Sequence, residues 1–217
     1  MTTQSAVLGV DGCPGGWIGA LVTATSVTWL LLPDVAAVLA VPAAAVGIDI
    51  PIGLPSVGPR ACDVLARHRI GPRRSSVFPA PVRAVLAATS YAEACALSRS
   101  ASGRALSKQA WFLVPRIDDA DAAIDDHDRV VEVHPEVVFA QLAGVLPPKK
   151  DPAGQQARAA ALAEVMPAWP PPPRPARMDD ALDALACART ARRWLTGDAE
   201  TLGGERDERG IPMRIVV

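Results

Sequence analysis

Four aspartates have the residue type and spacing that could do chemistry. Asp11 ends the apolar run Val7-Leu-Gly-Val10 and leads into the turn-forming Gly12-Cys-Pro-Gly-Gly16. Asp49 ends a second apolar run, Val46-Gly-Ile48, and leads into a stretch with Pro51, Gly53 and Pro55. A carboxylate at the end of a buried strand is costly unless something positive meets it. Bonding to turn N–H groups accounts for one such residue; two in one small chain favour a shared cation. Asp180 and Asp183 are three apart, hence neighbours on one face of a helix expected over about 179–195. That face continues through Ala184, Cys187, Ala191 and Trp194. Helix capping explains Asp179 or Asp180 well and Asp183, a full turn inside, poorly. Glu132, inside the apolar segment Arg129–His134, is a fifth candidate.

Four or five carboxylates cannot all ionise together without compensation. Hard divalent cations, Mg²⁺ or Mn²⁺, supply it through oxygen ligands. Two such ions about 4 Å apart activate water and stabilise the leaving oxygen of a phosphodiester. Phosphate binders are available. From Pro51 to about Tyr91 the hydrophobic periodicity fails, and this stretch carries Arg60, Arg67, His68, Arg69, Arg73, Arg74 and Arg83 against one acid, Asp63. Arg60, Arg67, Arg73 and Arg74, with Ser75 and Ser76 beside the last two, suggest a phosphate-binding flap; a solvated basic surface is the alternative. Lys149 and Lys150 follow a proline pair and could also hold phosphate. His134-Pro135-Glu136 is a strand-end turn, with Glu132, His134 and Glu136 on alternate positions. Asp118, Asp119, Asp121, Asp125 and Asp126 read as a solvated helix face.

The elements that must position these residues form an α/β pattern. Residues 6–11, 17–22 and 26–32 read as strands with short links, hence antiparallel neighbours. Pro33-Asp34 opens a short helix, and a fourth strand follows at 45–50. A strand–helix–strand order implies a crossover and a parallel pairing, so the sheet is mixed. Asp11 and Asp49 then lie at one C-terminal edge, where open α/β sheets put their ligands. Helices are expected at 60–69, 91–98 and 104–124, with Pro115 kinking the last or starting a new one. A fifth strand at 129–134, a helix from Pro135 and a helix at about 153–166 follow. Pro167–Pro175 reads as a polyproline strap over the surface, and Met213–Val217 as an edge strand. The reading is one domain over 1–217 with an insertion at about 51–90.

Composition bounds the partners. Half of the 217 residues are apolar and formal net charge is −1, so the whole-molecule field does not draw in nucleic acid strongly. The four cysteines are widely spaced with no CxxC pair, which argues against a thiolate zinc site and for reduced thiols in a cytoplasmic protein. No secretion signal and no membrane-length apolar run is present. Nor is there a serine elbow, Walker loop or HExxH motif.

The ordered motifs GVDGCPGGW, GIDIPIGLP, RRSSVFPAPVRA, GRALSKQAW, EVHPE and DALDALA, over roughly residues 6–195, resemble a widespread bacterial family of unknown function (DUF429) predicted to be RNase H-like nucleases. The resemblance implies a five-stranded mixed sheet, first three strands antiparallel, with helices on both faces. It also resembles the Holliday-junction resolvase branch of that superfamily. There one acid lies on strand one, one on strand four, and two lie three apart on the last helix, a pattern that Asp11, Asp49, Asp180 and Asp183 follow. That branch commonly has Glu on strand four where this chain has Asp49, one methylene shorter. The implied function is a Mg²⁺- or Mn²⁺-dependent nuclease or resolvase acting on nucleic acid or nucleotide, with a homodimer possible. The alternatives are a nucleotide-binding phosphotransferase or ATPase on the same fold, and a non-catalytic scaffold.

Overall fold

In the computed structural model, which describes residues 5–217, the chain forms an α/β fold around a five-stranded mixed sheet. Strands β1 (Val7–Cys13), β2 (Gly16–Val22) and β3 (Val27–Leu32) form an antiparallel meander. Helix α1 (Val35–Ala40), capped by the Asp34 carboxylate on the Ala37 N–H at 2.8 Å, leads to β4 (Ala45–Ile48). β4 and β5 (Val130–Glu132) run parallel to β1, giving the order β3-β2-β1-β4-β5. The expected meander, crossover and mixed sheet are all present.

The chain falls into two compact units. One comprises the chain up to Asp49, Asp128–Glu200 and Val216–Val217; the other Ile50–His127 and Thr201–Ile215. The first holds the sheet with α1, α5 (Pro135–Ala143), α6 (Pro152–Ala163) and α7 (Met178–Thr196). The proline strap lies in this unit, where the Trp29 indole N–H donates to the Pro170 carbonyl at 2.8 Å.

α7 lies across β1, β2 and β4. Two glycines permit that approach. A Cβ on Gly9 would overlap the Ala184 carbonyl and the Ala188 backbone, and one on Gly47 would overlap the Cys187 carbonyl. The facing helix is correspondingly lined with Ala181, Ala184, Ala188 and Ala191, all buried. Strand alternation then sorts the side chains. Val7, Ile18, Ala20, Ala45, Val131 and Val133 join the core beneath α7, so Leu8, Val10, Val46, Ile48 and Glu132 point to the opposite face.

The second unit is built from α2 (Ala61–Arg69), α3 (Tyr91–Ser102), α4 (Lys108–Ala123), two 3₁₀ segments and a two-stranded sheet of β6 (Thr201–Arg206) and β7 (Pro212–Val216). The stretch 51–90, expected as an insertion, thus opens a unit that runs on to His127. α4 continues through Pro115 without a break. The polar tail forms a hairpin where a single edge strand was expected. Asp121 does not belong to a solvated face: Arg83 binds it at 2.8 and 3.0 Å and Arg209 at 2.5 Å. Burial beside two guanidiniums, which helical periodicity cannot reveal, is the reason.

Replacing Gly9 or Gly47 by Ala forces α7 away from the sheet. Each substitution should cost about 1–3 kcal/mol or more, as overpacking does, read as a lowered urea midpoint with an unchanged slope.

Candidate functional site

The close approach of α7 to β1 and β4 assembles three of the predicted acids. Asp11 pairs with Ile18 across β1–β2 and shares its face, under α7. Asp49 follows β4 directly, its N–H donating to the Val10 carbonyl at 3.0 Å, which sets it beside Asp11. Asp183, in the second turn of α7, is 1% exposed. Its Oδ2 accepts from the Lys149 ammonium at 2.5 Å; its Oδ1 is buried without a hydrogen-bond partner.

The electrostatics follow from this crowding. Burial pushes Asp11 well above the usual carboxylate range, and the charges of Asp183 and Asp49 push it further against the opposing pull of Lys149. Asp49 and Asp183 are each raised to about 6, mainly by burial, with Lys149 opposing the rise and Glu136 adding to it. Burial works against the Lys149 charge, but its bond to Asp183 and the fields of Asp11 and Asp49 outweigh that and hold it above its ordinary value. The lysine is therefore the positive charge that meets these acids.

Lys149 is delivered by a built loop. The Pro147 carbonyl accepts from Arg158 Nη1 at 2.8 Å, and Gly154 packs so tightly on the Pro148 carbonyl that no Cβ would fit. The same Arg158, 1% exposed, donates through Nη2 to Glu136 Oε1 at 2.8 Å and stacks over the Phe139 ring. Glu136, the second glutamate of the EVHPE motif, thus anchors the arginine that anchors the lysine loop.

The other predicted residues take different places. Asp180 is half-buried in the first turn of α7, where its Oδ2 accepts the Arg177 N–H at 2.9 Å; burial raises its pKa and that bond pulls it back. It caps the helix, and its field still reaches Asp11. Glu132 is buried on β5 opposite Ile48, on the sheet face away from Asp11. The one-residue parity of the strand separates it from the other acids. Lys150 is exposed. His134 occupies the N-cap position of α5 without a side-chain cap bond, its pKa lowered by burial, and its Nδ1 is buried without a hydrogen-bond partner.

In the second unit Arg60 is 2% exposed and bound to Asp63 at 2.6 Å and to the Ile52 and Gly53 carbonyls. It holds a loop together and is shielded from any exposed phosphate, because a guanidinium buried beside a carboxylate is already neutralised. Arg67 donates to the Val77 carbonyl at 2.6 Å and, with His68, Gly71, Arg74 and Val64, lines an open groove of about 260 Å³. Arg73 lies on the same 3₁₀ segment, Gly71–Ser76.

Among the described residues no group of three or more His, Cys, Asp or Glu is arranged to hold a metal ion. All four cysteines are buried thiols outside any disulfide. No helix among the described residues is long and apolar enough to cross a membrane.

The family profile described as "Protein of unknown function (DUF429)" matches residues 9–208. The chain belongs to the DUF429 family. Its match spans both units and includes Asp11, Asp49, Lys149 and Asp183. No curated protein and no solved structure matches it.

The acids carry a pH signature. An acid whose folded pKa is raised binds its proton more tightly in the folded state, so its contribution favours folding most at low pH. That contribution is lost as pH rises from about 4 through about 6 for Asp49 and Asp183. Asp49→Asn should therefore gain stability relative to wild type across that window and keep the gain at pH 7.5. Urea unfolding of both metal-free proteins from pH 4 to 7.5 reads this difference; a flat difference means that Asp49 is not held under strain.

Proposed function

We propose that the chain is an RNase H-like nuclease that hydrolyses phosphodiester bonds with the help of Mg²⁺ or Mn²⁺. The observation that carries this reading is the buried Asp183 oxygen without a partner, beside Asp11 and Asp49 at the edge of two parallel strands. The strand order β3-β2-β1-β4-β5, with an antiparallel meander and two parallel additions, is consistent with the sheet that the family resemblance implies.

The donor chemistry suits the ion. The candidate ligands Asp11, Asp49 and Asp183 offer only carboxylate oxygens, the preference of hard divalent cations over softer metals. A partnerless buried oxygen costs free energy that a cation would recover. Bound there, the ion supplies Lewis-acid polarisation of a phosphoryl oxygen and a water acidic enough to attack. The chain's own residues do the rest. Asp11, Asp49 and Asp183 are the residues that would hold the ion. Lys149 fixes the Asp183 carboxylate, and α7 shields the acids from solvent so that their fields act at low dielectric.

Within the second unit, the groove lined by Arg67, His68 and Arg74 has a chemistry suited to a phosphate. The net charge of −1 argues for a small or structured nucleic acid over long-range attraction to extended duplex.

Labelled single-stranded, duplex, hybrid and four-way-junction DNA and RNA, incubated with Mn²⁺ or Mg²⁺, test the proposal. Cleavage should require the cation and fall by on the order of 100-fold or more in Asp11→Asn, Asp49→Asn and Asp183→Asn, at least as much as loss of a supporting residue around a metal costs. Cleavage of none of these substrates, or cleavage that survives all three substitutions, would falsify it.

A further inference from the structure

The groove of the second unit has a lining that follows from helical spacing. Val64, Arg67, His68 and Gly71 stand at positions i, i+3, i+4 and i+7, on the outer face of α2 and its continuation. The opposite face of α2, with Cys62, Asp63 and Ala66, is buried. Arg74 comes from the following 3₁₀ segment, Gly71–Ser76, and completes the lining of about 260 Å³. Two guanidiniums and an imidazole thus meet one apolar side chain, and no carboxylate is among the residues that line the groove.

The nearest acid in sequence does not neutralise these arginines. Asp63 is the one acid between Pro51 and Ser90. Both of its oxygens accept from the buried Arg60, at 2.6 and 3.2 Å, and Oδ2 also accepts the Ala80 N–H at 2.9 Å. The walls of the groove are braced as well. Arg67 is half-buried, and its Nη1 donates to the carbonyl of the buried Val77 at 2.6 Å. The Val77 N–H in turn donates to the Arg74 carbonyl at 3.3 Å. The Ile70 N–H closes on the Ala66 carbonyl and the Arg73 N–H on the Ile70 carbonyl, each at 3.1 Å. A solvated basic surface needs no such brace. A guanidinium has five N–H donors, so the bond to Val77 orients Arg67 and leaves donors for an anion.

The chemistry of the lining selects the ligand. Two guanidiniums attract a phosphate monoester, which carries up to about two negative charges, more strongly than a singly charged phosphodiester. The His68 ring, with Val64 one turn away on the same face, offers a flat and partly apolar surface of the kind on which a nucleobase stacks. The volume lies just under the roughly 300–1,000 Å³ of small-molecule sites, which suits one nucleotide and not a run of them.

We propose that this groove is a binding site for a nucleoside monophosphate, with Arg67 and Arg74 holding the phosphate and His68 and Val64 receiving the base. The site stands on the second unit alone. It uses neither the acid cluster nor a divalent cation, so its failure leaves the nuclease reading standing.

Calorimetric titration of the full-length protein at pH 7.5, with EDTA present to exclude divalent cations, tests the proposal. The probes are the four ribonucleoside 5′-monophosphates, the matching nucleosides and ribose 5-phosphate. At least one nucleotide should bind saturably. Its nucleoside and ribose 5-phosphate should each bind about tenfold more weakly or worse, as loss of charge-assisted hydrogen bonds or of a stacked base costs. Arg74→Gln and His68→Ala, both at exposed positions, should each weaken nucleotide binding by about tenfold. On wild type, the His68 ring resonances followed by NMR should shift as the nucleotide saturates, which locates the ligand without any substitution. No saturable binding of any nucleotide up to about 10 mM would overturn the proposal. So would ribose 5-phosphate or the nucleoside binding as tightly as the nucleotide, an affinity unchanged in either folded variant, or His68 resonances unmoved at saturation.

Discussion

Carboxylates buried side by side must be compensated, and most of what is specific about the first unit follows from that constraint. Taking an ionised carboxylate out of water is costly, and a like charge next to it raises the cost again. Here Asp11, Asp49 and Asp183 are raised by burial and by one another. The chain answers with a lysine on a braced loop, and leaves one carboxylate oxygen without a partner. A fold selected for stability alone has cheaper solutions, since apolar residues of similar volume often replace buried ion pairs at no loss. The retained charge is where the fold gives up stability.

The geometry that makes this crowding possible is the seating of α7 on the sheet. Small residues on both sides, glycine on β1 and β4 and alanine on the helix, bring the helix backbone onto the strands. A side chain one turn inside α7 therefore reaches acids at the strand ends, whereas a bulkier interface would hold Asp183 away from them. The same packing buries Cys187 under the acids, where burial first, and then the charges of Asp49, Asp11 and Asp183, push its thiol well above its ordinary pKa and keep it inert.

The second unit uses its arginines differently. Arg60 and Arg83 are tied into carboxylate networks, the first with Asp63 and the second with Asp121 and Asp207. Asp207 also accepts backbone N–H bonds from Leu54, Arg209 and Ile211; although burial opposes it, these bonds and Arg83 hold its pKa below the ordinary value. These groups brace the loop that carries Ile52, Gly53 and Leu54. Arg67 and Arg74 line the open groove beside Gly71–Ser76.

What the sequence determined by itself was whatever depends on local pattern. Apolar runs ending in a single aspartate gave the strands and their C-terminal acids. The order of short links and one helical crossover gave the mixed sheet. A three-residue spacing on an apolar face marked Asp183 as out of place for a cap, and the ordered motifs gave the family. Tertiary structure alone decided which charges meet. Glu132 and Asp11 both read as acids in apolar strands, but sheet parity sends them to opposite faces. Arg60 and Arg74 read as equal members of a basic stretch, but one is buried on Asp63 and the other lines a groove. Lys149 read as a candidate phosphate binder after two prolines, yet a loop held by Arg158 sets it on Asp183, 34 residues away. Periodicity encodes which side of its own element a residue faces; the partner across the gap is fixed by long-range packing, which no local pattern carries.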